Sequence, residues 1–441
     1  MKLFRFICSD FGLFLISFVL LALAGIGIET MLVPHFFPQL DDGAGLMINS
    51  DADTYHHFAM QVLDDMRTRG LAGWQLSPHG AAISGLIALL YYVTVPSPLV
   101  WVVVSAAFCG LAVMTLLRIG MLCGVARQWM WPAALSLICF PSAMLWFTQL
   151  GKDGIYVLGL YLIIASWIEL ILTPSHAAVR PWVSWVSGAA GMACLLLARP
   201  YMLMILAAGF AVVGICWTLL QCFRSPDRRH LLRQLLTIAV WIVALFIASH
   251  AFKGNFNSWD SVQKYMTESA PLPPSKIDRW LPGMQKYTTS LVRYRLRFLD
   301  LYPHANNNID PQSIRSADDL LPYLPRAIAV ACCQPLPFGD NGMLPGASQT
   351  IFSRLMQLET LIICSGLLCT AWAGARGKVP TAVLVTVLAL TAFVLLPAVY
   401  IGPNLGTLHR ARYGLLIMLA SIGWGHVIQA CLGSRRTIES A

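Results

Sequence analysis

Between Asn49 and His57 the chain reads NSDADTYHH, gathering two carboxylates, a phenol and two imidazoles in one short stretch. Asp51 and Asp53 are of the type that takes a proton from an attacking hydroxyl, while Tyr55 and His56 can hold such a hydroxyl in place. The stretch directly follows the first apolar run, where a membrane protein would emerge into water. Residues 58–70 have the spacing of a short amphipathic helix, which would pin these side chains to a membrane surface. The plainer alternative is an exit loop that is polar because it is wet.

A second acid, Asp153, stands in the turn QLGKDG between two apolar runs. It either pairs with Lys152 and caps the following helix, or serves chemistry, because ionised groups at membrane depth are costly and usually paired or functional. Arg199, in LLLARPY with Pro200 and Tyr201, breaks two more apolar runs. It reads as an arginine snorkelling to the interface or as a planar fork gripping a phosphate. His409, Arg410 and Arg412 open the last apolar run and add further cations. Lys276, Arg279, Lys286, Arg293, Arg295 and Arg297 lie in the long segment 253–349, and the last three read as a solvated helix face. Carboxylates from two turns, with cations around them, suit transfer from an anionic, lipid-anchored donor. A carboxylate removes the acceptor's proton and arginines hold the departing phosphate. The arrangement resembles an inverting glycoside displacement with a sugar hydroxyl in place of water.

The elements that must position these residues are membrane helices. The 441 residues are 57% hydrophobic and 12% charged, where a soluble chain carries about twice that charge. Mean hydropathy is +0.66. Repeated apolar runs reach the roughly 20 residues needed to cross a bilayer, so the fold class is an all-α, polytopic integral membrane protein. The net charge of +9 is scattered through short basic loops, which fits the positive-inside rule and excludes a nucleic-acid surface. The twelve cysteines lack the spacing of a zinc site or disulfide framework and read as small core residues.

The apolar runs are residues 11–33, 81–95, 98–117, 130–150, 155–172, 182–198, 201–220, 232–252, 351–373, 380–401 and 413–432. Counted as eleven spans, they would put the basic turns 224–230, 376–378 and 435–436 outside. Residues 81–95 are short for a crossing and end at Pro96 and Pro98. Laid at the outer interface, as a juxtamembrane helix beside residues 57–70, they leave about ten spans and restore consistent sidedness. Asp51, Asp53, Lys152, Asp153, Arg199 and residues 404–412 then share the outer face. Three regions follow: a membrane module over 1–251, a mostly helical cap over 252–350 with short helices near 290–299 and 325–333, and membrane helices over 351–441. Pro325 suits the first turn of its helix. Few charges lie deep within the runs, and no inverted repeat is evident, so a transporter is the weaker alternative.

The order of these features over residues 1–220 resembles the GT-C superfamily of polytopic glycosyltransferases. The superfamily includes the aminoarabinose transferase of lipid A, protein O-mannosyltransferases and oligosaccharyltransferases. The features are a first helix, an acidic-x-x-x-Tyr loop (Asp51 to Tyr55) opening an amphipathic helix, a second juxtamembrane helix (81–95), a helix ending in basic residues, and a helix closing on the acidic turn at Asp153. The resemblance implies Asp51 as catalytic or metal-linked acid, Asp153 as its partner from the second loop, and Arg199 near the donor phosphate. It further implies a polyprenyl-phosphate or polyprenyl-diphosphate sugar as donor and a glycan or lipid-linked acceptor. The setting would be the periplasmic face of a bacterial inner membrane, with Mg²⁺ or Mn²⁺ as a candidate cation held by Asp51 and Asp153. The second loop has Lys-Asp where relatives have Asp-x-Asp, and the Trp-Trp-Asp motif of oligosaccharyltransferases is missing. Arg410 and Arg412, with the spacing from Arg412 to Gly423, are similar to repeat-unit polysaccharide polymerases.

Overall fold

The computed structural model describes residues 9–47, 50–172, 181–224, 228–251, 275–276, 283, 285–301, 309–335, 351–402 and 404–439. In chain order the helices are α1 (Asp10–Gly27), prolonged by a π-helical stretch (Ile28–Phe36), α2 (Asp51–Arg69), α3 (Ala82–Val93), α4 (Pro98–Leu122), α5 (Arg127–Cys139), α6 (Pro141–Thr148), α7 (Asp153–Trp167), prolonged by Ile168–Leu172, α8 (Pro181–Ala198), α9 (Tyr201–Arg224), α10 (Arg228–Ala251), α11 (Gln285–Leu301), α12 (Leu320–Cys333), α13 (Ile351–Ala375), α14 (Thr381–Ile401) and α15 (Leu405–Glu439). No strand occurs among the described residues. Nine of these helices are long and apolar enough to cross a membrane: α1, α4, α7, α8, α9, α10, α13, α14 and α15. The chain is an all-α, multi-pass membrane protein.

Four boundaries depart from the sequence reading. Residues 130–150 form two helices, α5 and α6, bent by 66° at the break. Pro141 is the cause, since it forces the preceding Phe140 into extended backbone (φ −84°, ψ 144°). Counted as one broken span, the pair makes ten. Helix α2 starts at Asp51 rather than near residue 57, because the Ser50 hydroxyl accepts the Asp53 N–H (3.2 Å) and two aspartates suit the positive end of a helix. Helix α15 starts at Leu405, where Asn404 accepts the Thr407 N–H (3.1 Å), so His409, Arg410 and Arg412 belong to the helix itself. In α12, Pro325 lies inside the helix, not in its first turn. Helix α3, at 12 residues, is too short to span, as its sequence suggests.

The core forms around α7, whose Tyr156, Tyr161 and Trp167 are fully buried. Helices α7 and α8 approach closely because glycines face each other: a Cβ on Gly191 would lie 2.8 Å from the Gly159 carbonyl oxygen. Leu23, Ile215, Phe246 and Leu368 are exposed on the outer faces of the bundle, the inverted pattern of a surface bathed in lipid.

Hydrogen bonds sort the turns into two ends. At one, Arg127 pairs with Asp10 (2.6 Å), the Ala126 N–H donates to Gln429 (2.8 Å), and His426 Nε2 lies 3.2 Å from the Cys123 carbonyl. At the other, Trp101 Nε1 donates to the Gly151 carbonyl (3.1 Å) beside Asp153. Helices α11 and α12 dock at this second end. Tyr400, on the last turn of α14, donates to the Leu320 carbonyl (2.7 Å). Arg295 is fully buried and donates to the carbonyls of Val399, Ile309 and Asp310 (3.1, 3.1 and 2.8 Å). It is an anchor for the described part of the cap, not a solvated residue. Arg279 and residues 252–274 lie outside the described residues.

The spans also hold more buried ionisable groups than the sequence suggests. Glu29, Glu169, Glu359, His409 and Arg412 are all buried within them. Arg118 grips Glu169 with two nitrogens, and Ser184 donates to the same carboxylate (2.5 Å).

Candidate active site

Asp51 and Asp153 arrive from elements far apart in sequence, and each opens a helix: α2 behind the Ser50 cap, and α7 behind Lys152. Arg199 follows the last residue of α8, and Arg410 lies in the second turn of α15. These four side chains form one chain of ion pairs. Arg410 Nη1 lies 2.5 Å from Asp51 Oδ2 and 4.0 Å from Asp153 Oδ2. Arg199 Nη2 lies 2.7 Å from Asp153 Oδ1. The Asp153 and Arg199 side chains are 8% and 6% exposed, whereas that of Asp51 is 51% exposed. Depth therefore distinguishes a buried pair from an open carboxylate.

Aromatic rings support the cations from below. The Arg199 guanidinium stands over Tyr156 (4.5 Å) and Lys152 Nζ over Tyr55 (5.5 Å). Tyr55 is placed there by its spacing, since residues 51 and 55 share a helix face. Tyr156 went unnoticed in the sequence although it lies one helical turn beyond Asp153. A cleft of about 60 Å³ adjoins the cluster, lined by Tyr55, Ser77, Lys152, Arg199, Tyr201 and the first turn of α3. Among the described residues, no side chain caps the α3 N-terminus and Arg199 Nε has no hydrogen-bond partner. A helix N-terminus with Arg199 and Lys152 around one small space makes a setting for an anion.

Partial burial alone would push the Asp51 carboxyl up, but Arg410, by charge and hydrogen bond, with Lys152 and Arg199 behind it, holds it below the usual carboxylate range. Burial pushes Lys152 down to about 8, reinforced by the nearby Arg199 charge and opposed by the two aspartates. Two carboxylates thus face three cations. The arrangement does not fit a divalent ion: Asp51 Oδ2 and both oxygens of Asp153 are turned to arginines, and no group of three metal-ligating side chains gathers among the described residues.

Four residues expected at the site lie elsewhere. Asp53 faces His57 (3.0 Å), one helical turn along α2. His56 Nδ1 lies 3.0 Å from the Tyr91 hydroxyl, and burial, with His57 nearby, holds its imidazole below the usual value. His409 and Arg412 lie on other faces of α15 from Arg410. His409 meets Glu359 (3.4 Å). Arg412 is 2% exposed and donates to the carbonyls of Val330 and Ala331 (2.9 and 3.1 Å) at the end of α12, where its charge meets the negative end of that helix. Of the residues singled out in the sequence, Asp51, Asp153, Tyr55, Lys152, Arg199, Tyr201 and Arg410 come together. No family model, curated protein or solved structure matches the chain.

Proposed function

We propose that the protein is an inverting, GT-C-type glycosyltransferase that moves a sugar or glycan from a polyprenyl-phosphate or polyprenyl-diphosphate carrier to an acceptor at the periplasmic face of a bacterial inner membrane. The observation that carries this reading is the linkage of Asp51 to Asp153 through Arg410, beside an anion-sized cleft bordered by Arg199 and Lys152. In this reading the donor phosphate enters the cleft and takes hydrogen bonds from Arg199, Lys152 and the first amides of α3. A phosphate oxygen reaching Arg410 competes with Asp51 for the guanidinium. Asp51, released, regains the basicity of an ordinary carboxylate and accepts the proton of the acceptor hydroxyl as that oxygen attacks the anomeric carbon. The bond to the phosphate oxygen breaks, and the negative charge that develops there is met by Arg199 and Lys152. Asp153 keeps Arg199 aimed at the cleft.

The test is Asp51→Asn in proteoliposomes supplied with a polyprenyl-phosphate sugar. Transfer should fall by about 10²–10⁴-fold while the protein remains folded and inserted; a rate near that of the wild type removes Asp51 from the mechanism. A repeat-unit polymerase would use the same groups and would differ by giving a ladder of chain lengths. A flippase for lipid-linked glycans is the reading favoured by the ionisable groups buried within the spans, Glu29 and Glu359 among them. In a strain lacking the protein, untransferred donor collects on the outer leaflet for the enzyme and on the inner leaflet for the flippase.

A further inference from the structure

Glu359 plays no part in the transferase chemistry, yet it is among the most shielded carboxylates of the described residues. It sits on α13, 2% exposed, in a helix apolar enough to span. A lone carboxylate at that depth needs donors. Ser142, in the first turn of α6, supplies two: its N–H at 3.3 Å and its hydroxyl. His409 supplies the third, with Nε2 3.4 Å from Glu359 Oε1. The other imidazole nitrogen, Nδ1, lies 3.2 Å from Arg412 Nη2. Arginine only donates, so Nδ1 accepts and the proton of His409 resides on Nε2, pointing at Glu359. Trp146 closes the side of the ring, its centroid 4.7 Å away in an edge-on arrangement. His409 is thereby fixed in one tautomer and one orientation by contacts to α13, to α6 and to Arg412 one turn along its own helix. The next residue in the chain is Arg410.

We propose that Glu359 is a positioning residue for Arg410: by holding His409 it sets the rotation of α15 at its opening turns, so that one guanidinium reaches both Asp51 and Asp153. An α-helical turn has little freedom to rotate one side chain's origin without its neighbour's. Successive residues point about 100° apart, so locking His409 and Arg412 to α13 and α12 leaves Arg410 directed at α2 and α7. The contacts to the two aspartates are long and short (4.0 and 2.5 Å), so a small rotation would break the bridge. The inference rests on the transferase reading for the meaning of the site, but its test needs no sugar transfer.

Asp51 is the half-exposed end of the bridge and can be followed chemically. The full-length protein in detergent is treated near pH 5 with a carbodiimide and glycine ethyl ester, and modification of Asp51 is measured by tandem mass spectrometry. Asp53, two residues away and paired with His57, is the internal reference. Arg410→Gln should raise the Asp51 rate by about tenfold, because loss of a neighbouring cation returns the carboxyl toward its ordinary value. Glu359→Ala should raise it by about threefold or more with Asp53 unchanged, and Glu359→Gln, which keeps an acceptor for His409 Nε2, should restore the wild-type rate. If Glu359→Ala does not fold, His409→Phe keeps the ring and removes both nitrogen contacts, and should raise the Asp51 rate likewise. The proposal is overturned if these variants melt earlier but label Asp51 at the wild-type rate, if Asp51 and Asp53 rise together, or if Arg410→Gln changes nothing. A protein that transfers no sugar but shows this coupling would defeat the transferase reading and leave the positioning role standing.

Discussion

Asp153 and Arg199 should behave as one unit whose halves cannot be removed separately. Both side chains are under 10% exposed, so either charge left alone stays out of water. Asp153→Leu strands Arg199 and leaves three cations facing one carboxylate; the expected loss of stability is about 3–5 kcal/mol. Arg199→Met is milder, roughly 2–3 kcal/mol, because Arg410 remains 4.0 Å from Asp153 and still neutralises part of its charge. Replacing both, as Asp153→Leu with Arg199→Met, removes the desolvated charges together and should cost about 1 kcal/mol, mainly the lost stacking on Tyr156. The double-mutant cycle therefore has a coupling of several kcal/mol. Reversible unfolding in mixed micelles titrated with dodecyl sulfate measures it, with the 14 tryptophans supplying the fluorescence signal. Additivity to within about 0.5 kcal/mol would refute the idea of a single neutralised pair.

Lys152 is pushed down to about 8, so below that pH the folded chain holds a half-buried cation that the unfolded chain solvates freely. That cost fades as pH rises from about 8 toward the ordinary lysine value, so melts should show Lys152→Met more stable than wild type near pH 7 and the gap closing by about pH 10. Arg295→Met strands the carbonyls of Val399, Ile309 and Asp310; a loss of about 2–4 kcal/mol and faster amide exchange in α11 are expected. Gly191→Leu drives a side chain into the α7 backbone 2.8 Å away and should lower the yield of folded protein sharply, whereas Gly433→Leu, with open space around it, should not.

Much of the architecture is legible from hydropathy alone, because crossing a bilayer demands length and apolarity that no other element shares. Demoting residues 81–95 from a span follows from length and loop charge, and the 12-residue α3 agrees with it. What hydropathy misses is geometry at helix ends. Polar N-terminal turns look like loops, so α2 and α15 begin earlier than their apolar stretches suggest, and that error shifted His409 and Arg412 into the site. One helix turn points neighbouring residues to different partners, which is why Arg410 reaches the acids while Arg412 caps α12. Asp53 was separated from Asp51 by the same arithmetic. Glu359 carried a usable signal, a single carboxylate in an apolar run, but its partners Ser142 and His409 come from distant segments that spacing cannot connect.

The placement of Asp51 as the residue that opens α2 has a consequence for any chemistry at its oxygens. A side chain held only by its counter-ion would wander once that cation turned elsewhere. Here the backbone that carries it is anchored by the Ser50 cap, and the amide dipoles of a 19-residue helix keep a negative charge favourable at that spot. The carboxylate can thus give up Arg410 and still remain on station.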